Sequence, residues 1–338
     1  METVVDYDDI QRFLVEVLIR KTLPKYINNY KTSDYYPVIL GGQNVLRCAE
    51  NNKKVAALIS GVFSSDIDID FVIIPNVQNN DDPIVQDLHK RRLKFLDEVL
   101  QDTDFTYAIN QVMRDYAHLD MHVETTVDEK MMYSDPIVSR SMVVRLRINY
   151  YIGYEPSNSL TLMDTVIYST YSKTEHYDLF RQFTKSKVSL VIPYKIYKGL
   201  PFAHCEHAYY DTIRMLDTYA TEISITTSPK RFKFLISKYA NLLLKFSALY
   251  CLLNRVNKKK YDKLKQIYDN VRQILLSMNP FADMNSLSQN ERRRLNEIYN
   301  IVKDVTDIDL LIKIIKRENK QYRFTSKFKG IVKTRSSR

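Results

Sequence analysis

The segment "SSDIDIDFVIIP", Ser64 to Pro75, constrains the fold more than any other stretch of the chain. Asp66, Asp68 and Asp70 alternate with Ile67, Ile69 and Phe71, the two-residue period of a strand, and the chain then turns wholly apolar until Pro75 stops it. One face of that strand is committed to a core; the other carries three carboxylates. Like charges so close repel and raise each other's pKa. A divalent cation removes the conflict. Mg²⁺ takes hard oxygen ligands and is typically held by one or two carboxylates together with substrate phosphates. Two such ions, about 3.5–4 Å apart, can share carboxylates and stabilise both oxygens of an in-line displacement. The plain alternative is an acidic, solvent-facing strand, which is how a lone Asp-x-Asp is best read.

The neighbours of this strand matter for that choice. Gly is scarce, six in the chain, and two of the six are the adjacent Gly41 and Gly42. "YYPVILGGQNVLRCAE" reads as a short buried strand, a glycine turn and a helix. Backbone N–H groups at such a turn can approach a phosphate with no Cβ in the way. "IQRFLVEVL" places Ile10, Phe13, Leu14 and Leu18 on one helical stripe, and "IVQDLHKRRLKFLDEVLQ" is amphipathic. "HLDMHVET" alternates as a half-buried strand with Asp120, His122 and Glu124 on its polar face. "MVVRLRINYYIGY" reads as another strand, and "SLTLMDTVIYSTY" is a further strand candidate. The fold class expected is α+β: a mixed sheet with flanking helices, followed by a mostly helical C-terminal domain. The divisions expected are an N-terminal helix over 1–30, the sheet domain over 31–200, a helical domain over 201–312 and a basic tail over 313–338.

Charge is concentrated in that tail. From Lys313 to Arg338 there are ten Lys or Arg and one acid, Glu318, so the tail carries +9 of the net +10. Two readings stand: a contact for phosphate backbones, or a solvated terminus. Cys48, Cys205 and Cys251 are three in number and have no motif spacing, which fits reduced thiols in the cytosol better than a disulfide framework. Cys48 with His89 or His118 forms no nucleophile motif and is taken as a core thiol. No signal peptide and no membrane-length apolar run is present. The expectation is a soluble cytoplasmic protein with no membrane partner.

Taken together, a strand, a GG turn, a helix, a strand bearing Asp66-Ile67-Asp68 and a later strand bearing Asp120 resemble the polymerase-β-type nucleotidyltransferase superfamily. "SDIDIDFVI" is similar to its S-D-[IL]-D-hydrophobic signature, which makes Asp66 and Asp68 the metal pair and Asp70 an extra acid. The 23 residues between Gly42 and Asp66 exceed the common spacing. An insert of that length, with "GLPFAHCEHAYYDTIRML" leading out of the sheet, resembles the poly(A) polymerases of large cytoplasmic DNA viruses. The resemblance spans roughly residues 35–250. It implies two Mg²⁺ or Mn²⁺ ions on Asp66, Asp68 and Asp120, activating an RNA 3′-hydroxyl against the α-phosphate of ATP. It implies phosphate contact at Gly41, Gly42 and Gln43 and involves Ser65. The family often has a hydroxyl after its first glycine; here that position is Gly42, a departure from the family pattern for which Ser64 and Ser65 are no established replacement. It implies adenine held between the domains, with Tyr209, Tyr210, Lys233 and Lys238 as candidates. The implied partners are ATP and an RNA 3′ end, with a homodimer or a processivity partner. The implied location is the cytoplasm, in a viral factory or virion. The alternatives on the same fold are transfer to a tRNA, a protein or a small molecule, or a catalytically silent RNA-binding relative.

Three other stretches invite a reading. "HCEH" (His204 to His207) has one His-x-x-His pair and no second one, which is weak for zinc. "NRVNKKKYDKLK" and "ERRR" are basic runs that fit a solvated helix or an extension of an RNA track. Ser288 and Glu291 make a capping-box pattern for a late helix.

Overall fold

The computed structural model describes residues 5–50, 66–75, 77, 81–131, 142–168, 192–225, 228–256 and 289. The expected capping pattern at Ser288 and Glu291, the basic tail, Ser64, Ser65 and the side chain of Lys233 lie outside the described residues.

The N-terminal helical segment is not one uniform helix. Helix α1 (Tyr7–Val17) passes through a π turn at Leu18–Thr22 into the short α2 (Leu23–Tyr26) and a 3₁₀ turn at Ile27–Tyr30. Pro24, in the first turn of α2, has no N–H to give the preceding turn, and the widened turn sits immediately before it. Then follow β1 (Tyr35–Ile39), α3 (Gly41–Cys48), β2 (Ile67–Ile73), α4 (Pro83–Leu100) and α5 (Thr103–Asp115). The chain continues with β3 (Met121–Met131), β4 (Met142–Ile152), β5 (Glu155–Tyr168), β6 (Tyr194–Tyr197) and β7 (Leu200–Ala203). It ends, among described elements, with α6 (Cys205–Ile225) and α7 (Pro229–Val256).

The seven strands form one mixed sheet in the order β3-β4-β5-β2-β1-β7-β6. This is the α+β arrangement expected, with the sheet running to Ala203, past the expected boundary at 200. Two hairpins show why the chain turns where it does. Lys198 and Gly199 both have positive φ, as a two-residue turn between β6 and β7 requires. Gly153, also at positive φ, opens the turn joining β4 to β5.

The sheet buries one face against the N-terminal helices, α4 and α5. Ile67, Ile69, Phe71 and Ile73 of β2 join Leu14, Phe95, Leu96 and Phe105 in the main core. A smaller apolar cluster of Tyr36, Val38, Leu40, Val72, Ile192 and Ala203 is separate from it. Its strand members fall on the alternate residues of β1 and β2, hence on the opposite face. Helix α3 packs against β2, β7, α6 and α7.

Aspartates start three of these helices. Asp6 accepts from the N–H of Asp9, Asp82 from that of Ile84, and Asp102 from those of Asp104 and Phe105. Asp102 does more than cap. Its buried carboxylate also accepts from Thr22 Oγ1 at 3.0 Å, Lys25 Nζ at 2.7 Å and Tyr26 OH at 2.9 Å, tying the N-terminal segment to α5. Burial works to raise its pKa, but the bonds from Lys25, Tyr26, the Phe105 N–H and Thr22 outweigh it and hold the carboxyl below its ordinary value.

The cysteines depart from expectation. Cys48, at the end of α3, and Cys205, at the start of α6, form a disulfide with Cα atoms 5.8 Å apart across 157 residues of chain. They are too far apart in sequence for spacing to suggest a pair; the fold brings α3 and α6 together. Cys48 is therefore not a core thiol, and Cys205 is not available to an "HCEH" metal cluster. Among the described residues no helix is long and apolar enough to cross a membrane.

Replacing Asp102 by Ala should cost about 2 kcal/mol, since it strips a cap and leaves the buried Thr22 hydroxyl without its acceptor. Asp102→Asn, which keeps a capping oxygen, should cost less. Because the carboxyl is held low, its stabilisation is present above the unfolded value near 4 and is lost as pH falls through the folded one. Urea unfolding should therefore show the gap between wild type and Asp102→Asn closing on the acid side of pH 4. A gap independent of pH would contradict the assignment.

Candidate metal centre

Strand β2 runs parallel to β5, with Asp68 in register with Asp164. Same-register residues of paired strands present their side chains to the same face, so the two carboxylates stand side by side. Asp66, one pleat earlier, completes the group. One carboxylate oxygen from each of Asp66, Asp68 and Asp164 lies within 4.8 Å of the others. All three residues keep partial contact with solvent.

The field at this cluster shows how costly it is to keep it charged without a counter-ion. Burial, and then the charge of Asp66, push the Asp68 carboxyl up to about 7; Asp164 adds to the effect, while Lys245 and Lys238 of α7 oppose it. Burial and Asp66 likewise push Asp164 up to about 6, against the pull of Arg145 and Lys238. Arg145, on the neighbouring β4, donates Nε to Oδ1 of Asp164 at 3.0 Å and to Oδ2 at 3.3 Å. That bond fixes where the Asp164 carboxylate points. From the other side, the wholly buried Arg92 of α4 donates to the carbonyl oxygen of Thr165 at 3.1 Å and steadies the backbone of β5 next to Asp164.

The glycine turn lies directly against the cluster. Gly41 has φ +62°, and a Cβ there would collide with Oδ2 of Asp68. Any other L-residue would meet both a strained backbone and the carboxylate. The Leu40 N–H donates to the carbonyl oxygen of Asp68 at 3.0 Å, locking the turn to the strand. Unlike α1, α4 and α5, helix α3 has no side-chain cap, so its first-turn N–H groups remain for another acceptor. Gly41 and Gly42 are partly exposed; Gln43 and Asn44 are buried. Both polar side-chain atoms of Asn44 are buried without a hydrogen-bond partner among the described residues.

Asp66 and Asp68 fall where the alternation put them, with Gly41 and Gly42 beside them. Asp70 lies further along β2 and outside the group. Lys238 is exposed on α7 and acts electrostatically on Asp68 and Asp164. Tyr210 is half-buried, its hydroxyl pushed up to about 12 by burial and Glu206. Tyr209 is fully buried and stacked on Phe246, centroids 5.3 Å apart, as a packing residue between α6 and α7.

Asp120 does not converge with the pair. It is exposed, in a left-handed conformation, at the end of the 3₁₀ turn before β3. Its carbonyl accepts from Gly153 N–H at the tip of the β4–β5 hairpin. Strand β3 is separated from β2 by β4 and β5, and the β3 residue level with Asp164 is Asp128, through Arg145. Asp120 lies eight residues from that level, roughly 26 Å along the strand at about 3.3 Å per residue. The third carboxylate is Asp164. Its signal was present in "LTLMDTVIY", a single acid inside an otherwise uncharged, mostly apolar strand, which is costly unless something compensates it. Arg145 and Lys245 had no signal, because their nearness depends on strand register and on the docking of α7.

Three clustered carboxylates suit a hard divalent cation such as Mg²⁺ or Mn²⁺, and the glycine contour and uncapped α3 suit an anion beside it. Without metal, the folded protein holds protons on Asp68 and Asp164 that the unfolded chain releases near pH 4. Stability attributable to these groups should thus fall as pH rises from about 4 through 7. Asp68→Asn should raise the melting temperature of EDTA-treated protein, by a margin that grows over that window, and Mn²⁺ should stabilise wild type most above pH 7. Scanning fluorimetry with and without Mn²⁺ checks both; a margin that shrinks with pH would count against the cluster. No family model, curated protein or solved structure matches the chain.

Proposed function

We propose that the chain is a metal-dependent nucleotidyltransferase that moves a nucleoside monophosphate from a nucleoside triphosphate, ATP by resemblance, onto an RNA 3′-hydroxyl. The observation that carries this reading is the convergence of Asp66, Asp68 and Asp164 within 4.8 Å, against a glycine whose missing side chain makes room for Asp68. The order of parts is that of the superfamily the sequence resembles, with Asp164 in the place expected of Asp120.

In this reading Asp66, Asp68 and Asp164 hold Mg²⁺ or Mn²⁺, which when bound supplies positive charge to the reacting phosphate and lowers the pKa of the attacking hydroxyl. The protein's own contributions are positional and electrostatic. Arg145 holds the Asp164 carboxylate in one orientation. Gly41 and Gly42 let a triphosphate approach the backbone N–H groups at the head of α3. Lys238 and Lys245 bring positive charge from α7 to the same place, where a triphosphate's charge needs balancing. This arrangement answers to in-line phosphoryl transfer, in which positioning and charge stabilisation supply most of the catalysis.

Incubation of the protein with labelled ATP, Mg²⁺ or Mn²⁺ and a short RNA tests the reading. Extension by many adenylates is the expected result. A single addition, or transfer only to a different acceptor, would assign another transferase activity to the same site, and no transfer to any acceptor would leave a silent binding relative. Asp66→Asn, Asp68→Asn and Asp164→Asn should each cut transfer by more than the roughly 10–100-fold that loss of an outer-shell partner costs a metal site. Asp120→Asn should transfer at the wild-type rate. Gly41→Ala should fall with the first group. Full activity in Asp164→Asn, or its loss in Asp120→Asn, would overturn the site.

A further inference from the structure

Helix α7 carries Arg231, Phe234, Lys238 and Lys245 at intervals of three, four and seven residues, the spacing of one helical face. The inner end of this stripe is within electrostatic reach of the carboxylates, since Lys238 and Lys245 both act on Asp68. At its outer end Phe234 leaves a large ring in water, 46% exposed. The ring is flanked by cations one turn to either side: the Arg231 guanidinium 5.2 Å and the Lys238 ammonium 5.7 Å from its centroid. Arg231 is tethered by Glu222 at 2.6 Å. Lys238 is exposed on a flexible stem and can turn from the ring to a phosphate, uncovering a ring face.

An isolated exposed Phe needs no explanation. This one sits between two cations on the helix face that leads to a phosphate-transfer centre. Alternation of aromatic and basic side chains along a track is how proteins hold single-stranded nucleic acid: bases stack, and cations follow the backbone. We propose that this face of α7 binds the 3′-terminal stretch of a single-stranded polynucleotide, with Phe234 stacking a base and Arg231 and Lys238 meeting the flanking phosphates. The proposal names the acceptor of the transfer reading and rests on that reading for the direction in which the strand runs.

The test is fluorescence anisotropy on the full chain in EDTA, where no transfer occurs, with labelled twelve-nucleotide oligo(rA) and oligo(dA). Phe234→Ala should weaken binding by roughly 5- to 150-fold, the range for loss of one base–aromatic stack, and Phe234→Trp should restore it. The salt dependence should be unchanged in Phe234→Ala but shallower by about 0.7 in Lys238→Gln, the value for one single-strand phosphate contact. Unequal affinity for the two oligonucleotides would tell RNA from DNA. Because Phe234 is exposed, both Phe234 variants should melt like wild type. Wild-type affinity in Phe234→Ala would overturn the proposal. So would an equal loss of affinity for ATP, which would place the ring at the donor nucleotide, or an equal loss for poly-glutamate, which has charge but no bases. If ATP is never incorporated but the Phe234→Ala loss stands, the transfer reading falls and the binding face remains. If incorporation occurs with Phe234→Ala binding like wild type, the reverse holds.

Discussion

The parallel pairing of β2 with β5 sets Asp68 beside Asp164, and most of what is distinctive about the molecule answers to that juxtaposition. Two carboxylates in register, with a third one pleat away, repel each other in a partly desolvated place. The pairing is sustained by the other face of β2, where Ile67, Ile69 and Phe71 are fully buried. Each such side chain contributes about 1.5–3 kcal/mol on burial, enough in sum to impose a register that the charges oppose. Arg145 and Arg92 then act from opposite sides on β5, one on the Asp164 carboxylate and the other on the next residue's carbonyl.

The second dependence is on α3. Its first residue must be glycine because Asp68 occupies the space a side chain would take. Its last residue is bonded to the first of α6 through Cys48 and Cys205, and Arg47 donates to the carbonyl of Ala203 at 3.1 Å. One eight-residue helix thus touches the carboxylates at one end and is fastened at the other to the helices that bring Lys238 and Lys245. The turn, the carboxylates and the cations of α7 are held in one frame, which is what a site working by position and charge requires.

Legibility in the sequence followed the range of the interactions. The acidic face of β2 was visible because strand alternation is local, and the GG turn because positive φ and close approach leave few residue choices. The core face of α4 was visible through its helical period. Asp120 drew attention because it reads as part of a cleanly alternating strand, yet it sits just before that strand, which lies at the sheet's edge, and alternation reports a face without reporting which strand is next to which. Asp164 had the weaker local pattern and the decisive position. The cysteine pair was illegible for the same reason: 157 residues separate its members, and only the packing of α3 on α6 makes them neighbours.

By itself, then, the sequence determined that β2 carries acids on one side and core on the other, that a glycine turn begins α3, and that helices follow the sheet. These are consequences of side-chain periodicity and backbone sterics, which act over a few residues. The tertiary structure decided which third acid completes the cluster, which arginine orients it, which lysines face it and which cysteines join. Those outcomes depend on strand order, register and helix docking, and these are settled by the burial of apolar surface contributed from the whole length of the chain.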